Sequence, residues 1–461
     1  MKKLIIKIFI LSVTFICSYF ILKLLLNNEQ KLLIKKYIFP YKLISQQEKT
    51  ISQQQNMISN QRDRASALHN IFANINFSLL ELDVKEKNSD ILTKKTTVKL
   101  SNNLILNKYQ FTSGFYAGIN NIFPGSGYID FHKNNILVLS SRGILTYKKD
   151  LNNDQISFKQ IRNNINDFIN LKQFNKGKEF SLKDLLIYNN KIYISYTEEI
   201  KKDCWNTSII YGNINYENII FKKLFSPKEC IHSINNIDRE FMAVQSGGRI
   251  IALDNNHILL SIGDYRNRYL AQDKNSVNGK IIKINIINMN YEIISMGHRN
   301  PQGLYLDKKN NLILETEHGP FGGDEINIIQ LNKITKIKIQ NYGWPVSSAG
   351  EHYDGRVEKN KKKYEKYPLH KSHSKYGFIE PLYSFVPSIG ISEIAKIGQN
   401  KYVVGSMRGQ SIYFFKINKK KQITNLNRVE ISERIRDLKF NNNKLYLFME
   451  KSAAIGLINI K

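Results

Sequence analysis

One unit recurs along this chain: a hydrophobic pair, an Asn- or Lys-rich turn, then an alternating strand. It reads YIDFHKNNILVLSS from Tyr128, LLIYNNKIYISYT from Leu185 and IIALDNNHILLSIGD from Ile250. It returns as GLYLDKKNNLILETE from Gly303, IAKIGQNKYVVGS from Ile394 and LKFNNNKLYLFME from Leu438. Two-residue alternation on both sides of a turn is the pattern of a β-hairpin. Six copies, mostly about 45 to 65 residues apart, are what radial repetition of one sheet unit produces. Closing such units around a channel protects their edges. The expectation is an all-β fold, a six-bladed β-propeller of four-stranded antiparallel blades over 120–461. A sandwich of similar strands is the alternative.

The segments before the repeats differ in texture. A basic start is followed by fifteen uncharged, mostly apolar residues from Ile8 to Leu22, flanked by Lys7 and Lys23. With their apolar neighbours they approach the length a bilayer requires, and no small-residue cleavage site follows. Residues 1–28 are therefore read as an uncleaved transmembrane anchor, with a cleaved signal peptide as the alternative. That reading puts the bulk of the chain in the periplasm or outside the cell. Residues 29–70 carry Ile44, Ile51 and Ile58 at a period of seven, each followed by a polar Ser-Gln or Ser-Asn run. Half an apolar seam fits either a short coiled-coil stalk that oligomerises the chain or a single solvated helix. Residues 71–119 are read as lead-in strands.

The formal charge of the 461-residue chain is +29. Its lysines are scattered among Asn and Ile rather than gathered on one helix or interleaved with aromatics. The charge is thus read as solvated surface, partly membrane-proximal, and no nucleic-acid partner is expected. Of three cysteines, Cys17 falls in the apolar stretch, leaving Cys204 and Cys230. In an exported domain that pair suggests one disulfide rather than a metal pair, since no CxxC accompanies it.

The densest chemistry lies in GHRNPQGLYLDKKNNLILETEHGPFGGDE, from Gly297 to Glu325. His298, Arg299 and Asn300 precede Pro301-Gln302 at a strand entry, so a loop there presents a cation and an amide to the channel mouth. After the same hairpin, Gly319-Pro320 cannot continue a strand, and Asp324 and Glu325 follow. Freed carbonyls beside carboxylates are the hard oxygen ligands that Ca²⁺ prefers.

GGRI, IGD, AQD, NGKIIKI, GHRNPQGL, EHGPFGGDEINII and NYGWP together resemble the motif series of the PQQ-dependent aldose dehydrogenases, the glucose/sorbosone dehydrogenase family. The resemblance is clearest over 245–350 and continues more weakly to the C-terminus. It implies a six-bladed propeller that binds pyrroloquinoline quinone (PQQ) with Ca²⁺ and oxidises an aldose at C1 to the lactone, passing electrons to an acceptor. By position, Gly319 and Pro320 would offer carbonyls to the cofactor calcium, and Arg299 and Asn300 would contact the quinone oxygens. Arg408, Arg434 and Arg436 would face the cofactor carboxylates, which arginine forks match bidentately. Glu325 and the Tyr342 carbonyl would serve a second, structural calcium, with Asp354 a further candidate.

One departure bears directly on function. The family places its general-base His four residues before the Arg of GGR, and counting back from Arg249 gives Gln245. Glutamine cannot take the C1–OH proton. Asp264 stands at the position of the carboxylate that orients this His, and is itself a candidate base. His298 and His318 belong to motifs with other family roles, and His257 sits at the far end of its hairpin. Two functions follow: a sugar-oxidising quinoprotein, or a catalytically silent propeller that binds a glycan, a cofactor or a protein partner.

Overall fold

A computed structural model describes residues 14, 25–38, 40–111, 126–149, 151, 155–176, 180–334, 339–353 and 364–460. The chain divides into two compact units, Met1–Phe72 and Ala73–Lys461.

The first unit is helical. Asn27 caps the helix Asn28–Ile38: its Oδ1 accepts from Gln30 N at 2.9 Å while Gln30 Oε1 accepts from Asn27 N at 3.1 Å, a reciprocal capping box. A second helix, Pro40–Lys87, opens on proline, whose missing N–H costs nothing in a first turn. Ile44, Ile51 and Ile58 lie on it about half exposed. The expected membrane anchor needs correction: among the described residues, no helix is long and apolar enough to cross a membrane. The 11-residue helix is too short for a bilayer and carries Glu29, Lys31, Lys35 and Lys36; the longer one is rich in Gln and charge. The stretch from Ile8 to Leu22 lies, apart from Thr14, outside the described residues. The membrane anchoring and the location inferred from it are withdrawn.

The second unit is all-β with few helices, of the β-propeller kind. Strand pairing begins at Ile91, because the preceding helix continues to Lys87. The hairpin Ile91–Lys99/Ile105–Phe111 joins the two ends of the repeat region: its second strand pairs with the last strand, Ala454–Asn459, and its first with Gln155–Asn163. Six strands, Gly127–His132, Leu182–Tyr188, Gly247–Asp254, Pro301–Asp307, Ile391–Gly398 and Ile435–Asn441, belong to five sheets, the first and last of them lying at the two ends of one ten-stranded sheet. Each contacts the next, and the last contacts the first. Apolar layers fill the gaps between neighbouring sheets. Leu137 and Leu139 pack on Leu185 and Ile194 in one gap, and Val403 and Ile412 on Leu438 and Leu447 in another.

The Asn-rich turns are explained by backbone conformation. Asn189 and Asn190 have φ of 50° and 56°, Asn442 and Asn443 of 49° and 58°. Left-handed pairs of this kind match the twist of two-residue hairpins, and Asn tolerates them best after Gly.

Acids on or beside these six strands tie each to a neighbour in the ring. Asp130 accepts from Ile187 N (2.6 Å), Asp184 from Ile250 N (2.7 Å), Glu393 from Leu304 N (3.1 Å) and Asp437 from Ile129 N (2.8 Å). Arg249 sits among three of them, 2.7 Å from Asp184 and 2.9 Å from both Glu393 and Asp437. All four of these side chains are buried, so this guanidinium compensates carboxylates drawn from three other sheets.

Candidate active site

Loops at the entries and exits of these inner strands enclose a cavity of about 490 Å³. Gln245, Arg299, Asn300, Gly319, Arg408, Arg434 and Arg436 all line it, so residues spread over nearly 200 positions converge. Lys183, Arg249, Arg266, His318 and Glu450 line it too, and sequence reasoning did not assign them to a site. Arg249 served there only as a counting point, and Glu450 ends the last repeat with no motif around it.

Gln245 closes a 3₁₀ turn, Ala243–Gln245. Its main chain runs against Gly263, where a Cβ would lie 2.0 Å from Gln245 O; only glycine lets the two segments approach this closely. Asp264, the next residue, therefore stands behind the Gln245 side chain. In the amide orientation that satisfies every neighbour, Gln245 donates to Asp264 Oδ1 at 3.1 Å and accepts from Arg299 Nη2 at 3.0 Å and Arg266 Nε at 3.3 Å. Asp264 is fully buried and does not line the cavity. It also accepts from Trp344 Nε1 and Arg266 N, both at 2.8 Å. Burial raises its carboxyl above the ordinary range, against the pull of Arg299.

Arg299 donates to His318 O at 2.9 Å and lies over the Trp344 ring at 5.4 Å. It forms no ion pair among the described residues, and burial lowers its pKa. Asn300 is locked: its Oδ1 accepts from Gly247 N (3.1 Å) and its Nδ2 donates to Val244 O (3.2 Å). Across the cavity, Glu450 receives Arg434 Nε and Arg436 Nη2, each at 2.8 Å. Burial would raise the Glu450 carboxyl, but the two arginines outweigh it and hold it below the ordinary range. Arg408 is exposed at the rim. His318 Nε2 and Arg436 Nε are buried without a hydrogen-bond partner among the described residues.

Asp324 lines the cavity as well, and the other predicted site residues lie off it. Pro320 follows Gly319, and its carbonyl accepts from Ser388 Oγ at 3.4 Å. Glu325 and Tyr342 are buried, Glu325 with His373 Nε2 at 3.5 Å. Asp354 lies outside the described residues. Cys204 and Cys230 are disulfide-bonded, Cα to Cα 5.3 Å.

A ring of strands whose cavity gathers arginines and buried donors without hydrogen-bond partners is of the β-propeller kind. The comparisons with known proteins give that class its family. The Glucose / Sorbosone dehydrogenase family model matches residues 180–458, and the chain belongs to this family. It is 25% identical over 291 residues to the aldose sugar dehydrogenase YliI of Escherichia coli, covering 58% of this chain and 71% of that one. The apo-form crystal structure of the E. coli aldose sugar dehydrogenase matches with a TM-score of 0.56 at 21% identity, over 73% of this chain and 96% of that one. The PQQ-bound aldose sugar dehydrogenase of Streptomyces coelicolor matches with a TM-score of 0.50 at 16% identity, over 73% and 99%. Relatives that are sugar dehydrogenases support an oxidoreductase reading of this chain.

Proposed function

We propose that this chain oxidises an aldose or related sugar at C1 to the lactone, with PQQ and Ca²⁺ as cofactors and a separate electron acceptor. The observation that carries the proposal is the cationic cavity with its orphaned donors, His318 Nε2 and Arg436 Nε. These residues fit PQQ: Arg408, Arg434 and Arg436 would hold its carboxylates, and Arg299 and Asn300 its quinone oxygens. They fit Ca²⁺ through the carbonyls of Gly319 and Pro320, oxygen donors on a turn that cannot join a strand ladder. When bound, PQQ supplies the hydride acceptor. We also count the ring as six blades, one for each of the six strands that contact in turn and close on the first, and assign the Ile stripe of Pro40–Lys87 to self-association.

The chain's own residues bind and orient. Arg299 and Arg266 fix the Gln245 carbonyl, and Asp264 fixes its amide nitrogen, so Gln245 presents a rigid polar face to the sugar hydroxyl. No step of proton removal falls to Gln245. Asp264 reaches the cavity only if Gln245 turns aside, so the C1–OH proton leaves slowly; absence of a positioned base costs about 10²–10⁴ in rate.

The buried Gln245–Asp264 bond also favours a second reading, a silent propeller that retains ligand binding to a glycan, a cofactor or a protein. Dye-linked aldose oxidation by the full chain, reconstituted with PQQ and Ca²⁺, separates the two. Turnover on any aldose, lost in Asp264→Asn, supports the enzyme. Silence in the native chain with turnover in Gln245→His supports the second reading.

A further inference from the structure

Behind the Arg299 loop, on the face of the hairpin Leu312–Glu317/Asp324–Gln330, Glu315 stands directly opposite Asn327 and Glu317 opposite Glu325. Glu315, Glu317, Asn327 and His298 are all buried, at 3% exposure or less. Ligand atoms of His298, Glu315 and Glu317 lie within 4.8 Å of one another. His298 Nδ1 is 3.3 Å from Glu317 Oε1 and 4.0 Å from Glu315 Oε2. Among the described residues, no Lys or Arg side chain ion-pairs with Glu315, Glu317 or Glu325. Carboxylates buried without a fixed cation are costly, and among the described residues the basic side chains within 4.0 Å of them are the imidazoles of His298 and His373.

Two further observations point to a ligand. Glu315 Oε1 and Asn327 Oδ1 are buried and have no hydrogen-bond partner. The Asn327 amide nitrogen donates to Glu315 Oε2 at 3.0 Å and to Glu317 Oε1 at 3.1 Å; with a cation between the carboxylates the amide would turn over and place its oxygen there. In addition, His298 Nε2 is 2.9 Å from Ser295 Oγ. An Nε2–H donated to that hydroxyl leaves the Nδ1 lone pair facing the carboxylates, the arrangement usual for a metal-bound histidine.

We propose that His298 Nδ1, Glu315, Glu317 and the Asn327 amide oxygen form a divalent-cation site. Its ligand set differs from the calcium positions that the family resemblance assigns to Gly319, Pro320, Glu325 and Tyr342, but it adjoins the last two: Glu325 stands opposite Glu317, and the Tyr342 ring stacks on His298 at 4.9 Å. One imidazole among carboxylates suits Mn²⁺ or Zn²⁺ better than Ca²⁺. The bound ion has a local structural task. Glu317 Oε2 accepts from Arg299 N at 2.6 Å, so an ion that fixes Glu317 also fixes the loop that presents Arg299 and Asn300 to the cavity.

The test needs neither PQQ nor sugar, so it stands apart from the proposed activity. The full chain is saturated with Ca²⁺, titrated with Mn²⁺ and followed by electron paramagnetic resonance. The expected result is one retained Mn²⁺ with nitrogen coupling from a single imidazole, weakened at least about tenfold by Glu315→Gln. If Glu315→Gln does not fold, the nitrogen coupling in the native chain decides alone. Failure to retain Mn²⁺ over Ca²⁺, retention without nitrogen coupling, or affinity unchanged in a folded Glu315→Gln overturns the site.

Discussion

Gln245 and Asp264 are joined side chain to side chain, amide nitrogen to carboxylate oxygen at 3.1 Å, with Arg299 and Arg266 holding the amide oxygen from the other side. The carboxylate that could orient an imidazole is thus present, buried and correctly aimed, and an amide takes the position the imidazole would occupy.

Replacing Gln245 by His should therefore restore a base where its supporting carboxylate already stands. With PQQ and Ca²⁺ bound, Gln245→His is expected to turn over aldoses about 10²–10⁴ faster than the native chain. Its rate should rise with pH through the imidazole range, about 6.5, because only neutral imidazole accepts the proton. A flat pH profile would mean that the new His is not the base.

Arg249 should be the residue whose loss most damages the ring. Arg249→Met leaves Asp184, Glu393 and Asp437 buried together with no guanidinium among them, a change that costs about 3–5 kcal/mol. Burial raises Glu393 from an ordinary 4.5 to about 7. A carboxyl whose folded value is raised contributes stability below its unfolded value and loses it as pH rises through the folded value. The deficit of Arg249→Met against the native chain should accordingly be larger at pH 8 than at pH 5. Urea denaturation at the two pH values measures it, and an equal deficit at both would remove these carboxyls from the explanation.

Gly263→Ala tests the close approach that sets Asp264 behind Gln245. The added methyl would meet the Gln245 carbonyl at 2.0 Å, and a backbone atom cannot swing away as a side-chain tip can. A loss of about 3 kcal/mol is expected, together with weaker PQQ binding as the Gln245 turn shifts. Native-like stability and affinity in the alanine variant would show that this contact does not position the site.

Much of this was legible before any coordinates. Hairpin periodicity and Asn-rich turns are local, and so the repeats Tyr128–Ser141, Leu185–Thr197 and Leu438–Glu450 read directly as strand pairs. The cavity residues Arg299, Asn300, Arg408, Arg434 and Arg436 were found through motifs. Arg266 and Glu450 were not, because what matters about them is a partner distant in sequence: Gln245 for one, Arg434 and Arg436 for the other. The cluster of Glu315, Glu317 and Asn327 was missed for a similar reason, since cross-strand register decides which alternate residues share a face. The N-terminal apolar stretch misled in the opposite way, because composition and length alone carried the reading of a membrane span.

Glu450 offers the last test, because one carboxylate has two separable effects. It receives Arg434 and Arg436 at 2.8 Å each and is held below the ordinary carboxylate range. A depressed carboxyl contributes stability above its unfolded value and loses it as pH falls through the folded one. Glu450→Gln should therefore cost about 3–5 kcal/mol at pH 7, and the gap to the native chain should close on acidification. The same change removes the carboxylate charge opposite both guanidiniums while keeping their positive charge in the cavity. If the arginines hold the cofactor carboxylates, PQQ affinity in the folded variant should be kept or rise while stability falls. Fluorescence titration with PQQ at neutral pH reads the first quantity and urea denaturation the second. A parallel loss of both would show that Glu450 is needed to aim the arginines rather than merely to neutralise them.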